Sequence, residues 1–105
     1  MHPTYPLSQV KQLVRSGSYR ITRVALDYAA SDFQFTEQEI VQTVLKLNLA
    51  DFYKTMPSEQ IIGLWQDVYK PLVNFKGHST RAYVKLQITE QKAGNVAIFI
   101  SFKKA

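Results

Sequence analysis

The hydrophobic period of this 105-residue chain changes once, just after Leu49, and that change leaves few possible layouts. Before it, apolar residues recur every three or four positions, as on a helix with one buried face. After it they alternate, as on a strand with one buried face. In L-S-Q-V-K-Q-L-V-R-S-G, Leu7, Val10, Leu13 and Val14 fall on one stripe, Lys11, Gln12 and Arg15 lie outside it, and Gly17 is placed to close the helix. A second helix begins at Thr22, whose hydroxyl can cap it, and runs through R-V-A-L-D-Y-A-A to near Ser31 with Ala25, Tyr28 and Ala29 inward. The third has the strongest start signal: Thr36 and Glu39 of T-E-Q-E form a capping box ahead of Ile40, Val41, Val44, Leu45 and Leu47.

Asn48 and Asp51 can cap one more helical turn, opening the region from Phe52 to Met56. Next, L-W-Q-D-V-Y-K predicts a strand with Trp65, Asp67 and Tyr69 on one side and Gln66, Val68 and Lys70 on the other, Pro71 marking an edge, a bulge or its end. In A-Y-V-K-L-Q-I, Ala82, Val84, Leu86 and Ile88 oppose Tyr83, Lys85 and Gln87. The turn A-G-N leads into V-A-I-F-I-S-F-K, where Val96, Ile98, Ile100 and Phe102 are the expected core row and Ala97, Phe99, Ser101 and Lys103 the opposite one. Helices first and strands afterwards predict an α+β fold: N-terminal helices packed on a mostly antiparallel sheet, in one domain spanning residues 1–105.

Absent residue types narrow the chemistry. With no cysteine there is no disulfide, no thiol nucleophile and no sulfur-ligated metal site. His2 and His78, one at a terminus and one in an expected loop, are the remaining soft ligands, so neither a metal nor another cofactor is expected. No phosphate-binding loop, dinucleotide fingerprint or H-E-x-x-H motif occurs. No apolar run approaches the roughly 18 residues that cross a bilayer, and M-H-P-T-Y-P-L-S lacks the layout of a signal peptide, so a cytoplasmic protein with no membrane partner is expected.

The 13 Lys and Arg against 8 Asp and Glu favour an anionic partner only weakly, because many domains of this size carry such a charge without one. Its distribution says more. From Lys70 onward, Lys70, Lys76, Arg81, Lys85, Lys92, Lys103 and Lys104 stand against Glu90 alone. Alternation puts Tyr83 and Lys85 on one strand beside Ser101 and Lys103 on the next, with Gln66 on the same side. Lysines on an open sheet face mostly just solvate it, and on pattern alone that reading ranks first. Phe52, Tyr53, Met56, Trp65 and Tyr69 likewise read as packing before base stacking, and Asp67 as a cap for backbone amides or a partner for a base.

D-F-Y-K-T-M at 51–56, W-Q-D-V-Y at 65–69 and S-F-K at 101–103 change that ranking. Together with L-S-Q-V-K-Q-L-V, T-R-V-A-L and Y-V-K-L, in the same order over nearly the whole chain, they resemble the MqsR family of bacterial ribonuclease toxins, the motility quorum-sensing regulators. The resemblance implies a RelE-like fold and metal-independent cleavage of messenger RNA, by 2′-hydroxyl attack that leaves a 2′,3′-cyclic phosphate. It also implies an MqsA-like antitoxin with zinc-binding and helix-turn-helix parts, through which alone operator DNA is contacted; an exposed edge strand is the expected docking site. At the matching positions it implies active-site roles for Lys54, Gln66, Tyr83 and Lys103, with Lys70, Arg81, Lys85 and Lys104 binding neighbouring phosphates. The chain departs from the family pattern at Lys70, where arginine is usual, in P-S-E-Q-I-I-G before Trp65, and in the longer loop N-F-K-G-H-S-T, so the family's preference for GCU-type sites is not carried over. A non-catalytic homologue acting with an antitoxin on an operator is the alternative. A sheet-platform RNA-binding domain ranks last, for want of the RNP-type aromatic pattern.

Overall fold

A computed structural model describes residues 2–105. Helix α1 (Leu7–Arg15), strand β1 (Tyr19–Ile21), α2 (Arg23–Phe33) and α3 (Glu37–Leu45) precede a 3-10 turn at Leu49–Asp51. Strands β2 (Phe52–Pro57), β3 (Trp65–Tyr69), β4 (Leu72–Phe75), β5 (His78–Gln91) and β6 (Gly94–Lys104) follow. The sheet runs β1-β6-β5-β3-β2, with β4 on the first residues of β5. β1 is parallel to β6 and the other pairings are antiparallel. This is the α+β layout that the change of period predicts, in keeping with a RelE-like toxin. β1 was not predicted, because three residues are too few to show an alternation. Among the described residues no helix is long and apolar enough to cross a membrane.

The start signals act as their chemistry requires. Thr22 Oγ1 accepts from the Ala25 N–H at 3.1 Å and donates to the Ile100 carbonyl at 3.1 Å, so one side chain both caps α2 and ties it to β6. Thr36 and Glu39 form the capping box of α3, and Asn48 and Asp51 form one around the 3-10 turn. α2 runs past Ser31 to Phe33, where Gln34 turns left-handed with φ 59°. Its buried face is Ala25, Ala29 and Phe33, a spacing of four, and the expected inward Tyr28 is instead 52% exposed, one position off that stripe. Two alanines let the helix lie close on β6, and Phe33 fills the space beyond them against Phe35, Phe75 and Phe102.

Three strand readings need correction. The region Phe52 to Met56 is a strand, since the helical turn is complete at Asp51. N-F-K-G-H-S-T is a tight β4–β5 hairpin, turned at Lys76 and Gly77, which take φ 52° and 79°. The core row of β6 is Ala97, Phe99 and Phe102, whereas Val96, Ile98 and Ile100 are only half-buried. Lys85 faces Ser101 and Leu86 faces Phe99, so Ile100 has no partner on β5. That bulge inverts the alternation: Ala97 and Phe99 join the core, while Ser101 and Lys103 keep the opposite side.

The helix-facing side of the sheet gives Ala82, Val84, Leu86, Ala97, Phe99 and Phe102 to the core, against Val10, Val14, Ile40, Val44 and Leu47. Asp67, fully buried, caps two backbone amides: Oδ1 accepts from Thr4 N–H and Oδ2 from Tyr5 N–H, each at 2.9 Å. The Tyr5 hydroxyl donates to the Trp65 carbonyl at 2.7 Å. These bonds hold the N-terminal segment over β3, where the Tyr69 hydroxyl is buried without a partner among the described residues.

Candidate functional site

The face of the sheet away from the helices is organised by register. Lys54 pairs with Val68, Val68 with Lys85, and Lys85 with Ser101, so these four stand side by side across β2, β3, β5 and β6. At about 4.8 Å per strand the row spans roughly 15 Å. On one side of it Tyr83 pairs with Lys103, and Lys70 follows at the end of β3. On the other side Met56 pairs with Gln66, and Gln87 with Ile98. Lys54, Gln66, Tyr83, Lys103, Lys70 and Lys85 thus share one open face.

Lys54 reaches that face because of a second bulge. Phe52 pairs with Tyr69 and Lys54 with Val68, leaving Tyr53 unpaired. Residues two apart on a regular strand point the same way; here the extra residue lets Phe52 pack against the buried Tyr69, ring centroids 5.6 Å apart, while Lys54 points outward. It also turns the Tyr53 ring toward two amines, with Lys70 Nζ 3.7 Å and Lys54 Nζ 5.6 Å from its centroid. Lys103 Nζ lies 5.3 Å from the centre of the Tyr83 ring. Burial, and then the neighbouring Tyr53, push the Tyr83 phenol above the ordinary tyrosine value, so it holds its proton through neutral pH.

Gln66 is buried and donates from Nε2 to Gln87 Oε1 at 2.9 Å. Arg81 lies on the same side of β5, but its guanidinium donates to the Lys70 carbonyl at 2.8 Å and braces the end of β3. Lys104 does not join this face: it pairs with the buried Ala82, on the helix side, and its N–H donates to Asp32 Oδ2 of α2 at 2.9 Å. Strand alternation separates it from Lys103, which a count of basic residues could not reveal. Among the described residues no group of three or more His, Cys, Asp and Glu could hold a metal ion.

The sequence reads Tyr53 as packing and gives it no place in the site, because only a bulge brings its ring between Lys54 and Lys70, and alternation carries no sign of a bulge. Gln87 had its signal, a polar residue in the row of Tyr83 and Lys85, but no role followed until its contact with Gln66 was visible. Ammonium groups, a protonated phenol and a held amide on an open face suit a flexible polyanion. They can neutralise charge and deliver a proton.

The chain is matched over residues 2–104 by the family described as motility quorum-sensing regulator, toxin of MqsA. It is 31% identical over 102 residues to the mRNA interferase toxin MqsR of Escherichia coli (strain K12), an alignment covering 97% of this chain and 94% of that relative.

Proposed function

We propose that this chain, which belongs to the motility quorum-sensing regulator (MqsR) toxin family, cuts messenger RNA by making the ribose the nucleophile. It is a toxin with mRNA interferase activity, an endoribonuclease. In the reaction we propose, the 2′-hydroxyl attacks the adjacent phosphorus, the bond to the 5′-oxygen breaks, and the products are a 2′,3′-cyclic phosphate and a free 5′-hydroxyl. Negative charge grows on the phosphate's free oxygens as the bond forms. Fixed cations there stabilise the transition state more than the ground state.

The register that brings Lys54, Lys85, Tyr83 and Lys103 to one face is the observation supporting this reading. Lys54 and Lys85 take the charge on the central row, and Lys103 adds to it from beside Tyr83. Tyr83, kept protonated by burial, gives its proton to the departing 5′-oxygen. The proton of the attacking hydroxyl goes to water, the lysines being occupied as cations. Lys70 extends the phosphate track, and Arg81 supports it through the Lys70 carbonyl. An MqsA-like antitoxin, the partner named by the family's description, neutralises the toxin, and the complex contacts operator DNA through the antitoxin.

Incubating the purified protein with single-stranded RNA in excess chelator tests the mechanism. Wild type should leave cyclic-phosphate ends, and Lys54→Ala should cleave at least about 100-fold more slowly. Loss of wild-type activity on chelation would refute the metal-free mechanism. Antitoxin binding without cleavage by either protein would instead identify a non-catalytic regulator.

A further inference from the structure

Behind the lysine row lies a chain of three polar side chains that the reaction above does not use. Gln66 Nε2 donates to Gln87 Oε1 at 2.9 Å, and Gln87 Nε2 donates to Thr89 Oγ1 at 2.9 Å. Gln66 and Gln87 are only 7% and 5% exposed, so neither amide is free to exchange these bonds with solvent at little cost. The arrangement has a polarity. One N–H of Gln66 is committed to Gln87, while its carbonyl oxygen Oε1 has no protein partner among the described residues. Nor is that oxygen sealed off: the one buried side-chain polar atom lacking a partner among those residues is the Tyr69 hydroxyl. A held amide thus presents this acceptor, beside the second N–H of Nε2, at the open face.

An acceptor is the wrong group for a phosphate oxygen, which is itself an acceptor, and the right one for an amino group. Its surroundings agree. Met56 and Ile98, both half-buried, stand beside Gln66 and Gln87 in the paired row and offer apolar surface to a base. That row is one same-face step, about 7 Å, from the lysines, so a nucleotide whose phosphate lies on Lys54 and Lys85 can reach it with its base.

We infer that Gln87, braced by Thr89, is a positioning residue that orients Gln66 to read a nucleobase through its exocyclic amino group. This rests on the same face binding RNA, as in the proposed function, and gives Gln66 the task of choosing the base. Cytosine, adenine and guanine each carry an amino group, and uracil does not. The subsite therefore discriminates by chemistry that the lysines ignore.

The test uses short RNAs made uncleavable by 2′-deoxy sugars, each paired with a twin lacking one amino group: 2-pyrimidinone for cytosine, purine for adenine, hypoxanthine for guanine. Affinity is read by fluorescence anisotropy, and ribose versions report cleavage separately. Wild type should bind at least one amino-bearing RNA about fivefold more tightly than its twin, the worth of one hydrogen bond. Gln87→Leu, which cannot accept from Gln66, should bring that ratio close to one. Gln87→Glu keeps an acceptor opposite Gln66 Nε2 and should preserve the ratio even if its charge weakens all binding. Thr89→Val, which frees the Gln87 amide, should lower it, and provides the test if Gln87→Leu does not fold. A wild-type ratio of one for all three bases, a ratio surviving Gln87→Leu, or one lost in Gln87→Glu overturns the inference. Discrimination without cleavage would sustain it while removing the catalytic reading; no RNA binding at all would remove both.

Discussion

Tyr69 and Tyr83 lie on opposite faces of the sheet, and burial raises both phenols for different ends. Tyr69, fully buried, is raised further by Asp67 and Asp51 and has no hydrogen-bond partner among the described residues. Its titration bears on stability. Below pH 10 both the folded and the unfolded chain keep the proton; above it the unfolded chain loses the proton first, so fewer protons are bound unfolded and stability falls as pH rises. Tyr69→Phe should flatten that alkaline decline in urea denaturation series run from pH 8 to 11. At pH 7 it should be neutral or stabilising by up to about 1 kcal/mol, because the hydroxyl it removes is unpaired. Tyr83 is raised by burial and by Tyr53, and in the proposed reaction its titration bears on activity. The donor of a proton to the leaving oxygen must itself be protonated, so under that proposal cleavage should hold through neutral pH and decline only beyond pH 10. Tyr83→Phe should cost roughly 100-fold in single-turnover rate with little loss of RNA affinity. Both positions stood out in the sequence, and alternation set Tyr83 beside Lys85 and Tyr69 opposite Gln66; how deeply each is covered was not legible, because it depends on segments distant in sequence.

Among the elements, the helices were the most legible, since capping at Thr22, Thr36 and Asn48 is local chemistry written within three or four residues. Strand existence was nearly as clear. Strand facing was not, because bulges at Tyr53 and Ile100 each reverse the alternation, and nothing in the residues beside them announces it. Val96, Ile98 and Ile100 are the more apolar row, yet Ala97 and Phe99 are the ones under the helices. The same two irregularities bring Lys54 and Lys103 to the open face while Phe52, Phe99 and Phe102 stay toward the core. Inserting one residue between Lys85 and Leu86, opposite Ile100, would make the pairing regular and put Phe99, Ser101 and Lys103 on one face, forcing a choice between burying Lys103 and exposing Phe99. The expected result is loss of the cooperative thermal transition, monitored by circular dichroism, whereas Ile100→Val should cost no more than about 1.5 kcal/mol.

For the molecule as a whole, the excess positive charge is sorted between the two faces of one sheet. Lys54, Lys70, Lys85 and Lys103 line the open side, while Lys104, next in sequence to Lys103, turns toward α2. RNA affinity should fall with salt in proportion to the phosphates held, at about 0.7 per contact for a single strand. Titrations from 50 to 300 mM salt should lose about 0.7 from the log–log slope in Lys85→Ala and almost nothing in Lys104→Ala. The lower-resolution inference, a basic C-terminal lobe for an anionic partner, came from composition. Which lysine does the work required the pairing of strands that lie far apart in sequence.

The Tyr53 bulge joins two jobs within three residues: Phe52 is packed against the interior while Lys54 is held out on the open face. Under the proposed reaction, harmlessness can thus arise without touching any group assigned to the scissile bond, since a smaller side chain at Phe52 would let the neighbouring amine drift from its station. Cells that survive overproduction of such a toxin have two independent routes to safety, one through its chemistry and one through the footing beneath it.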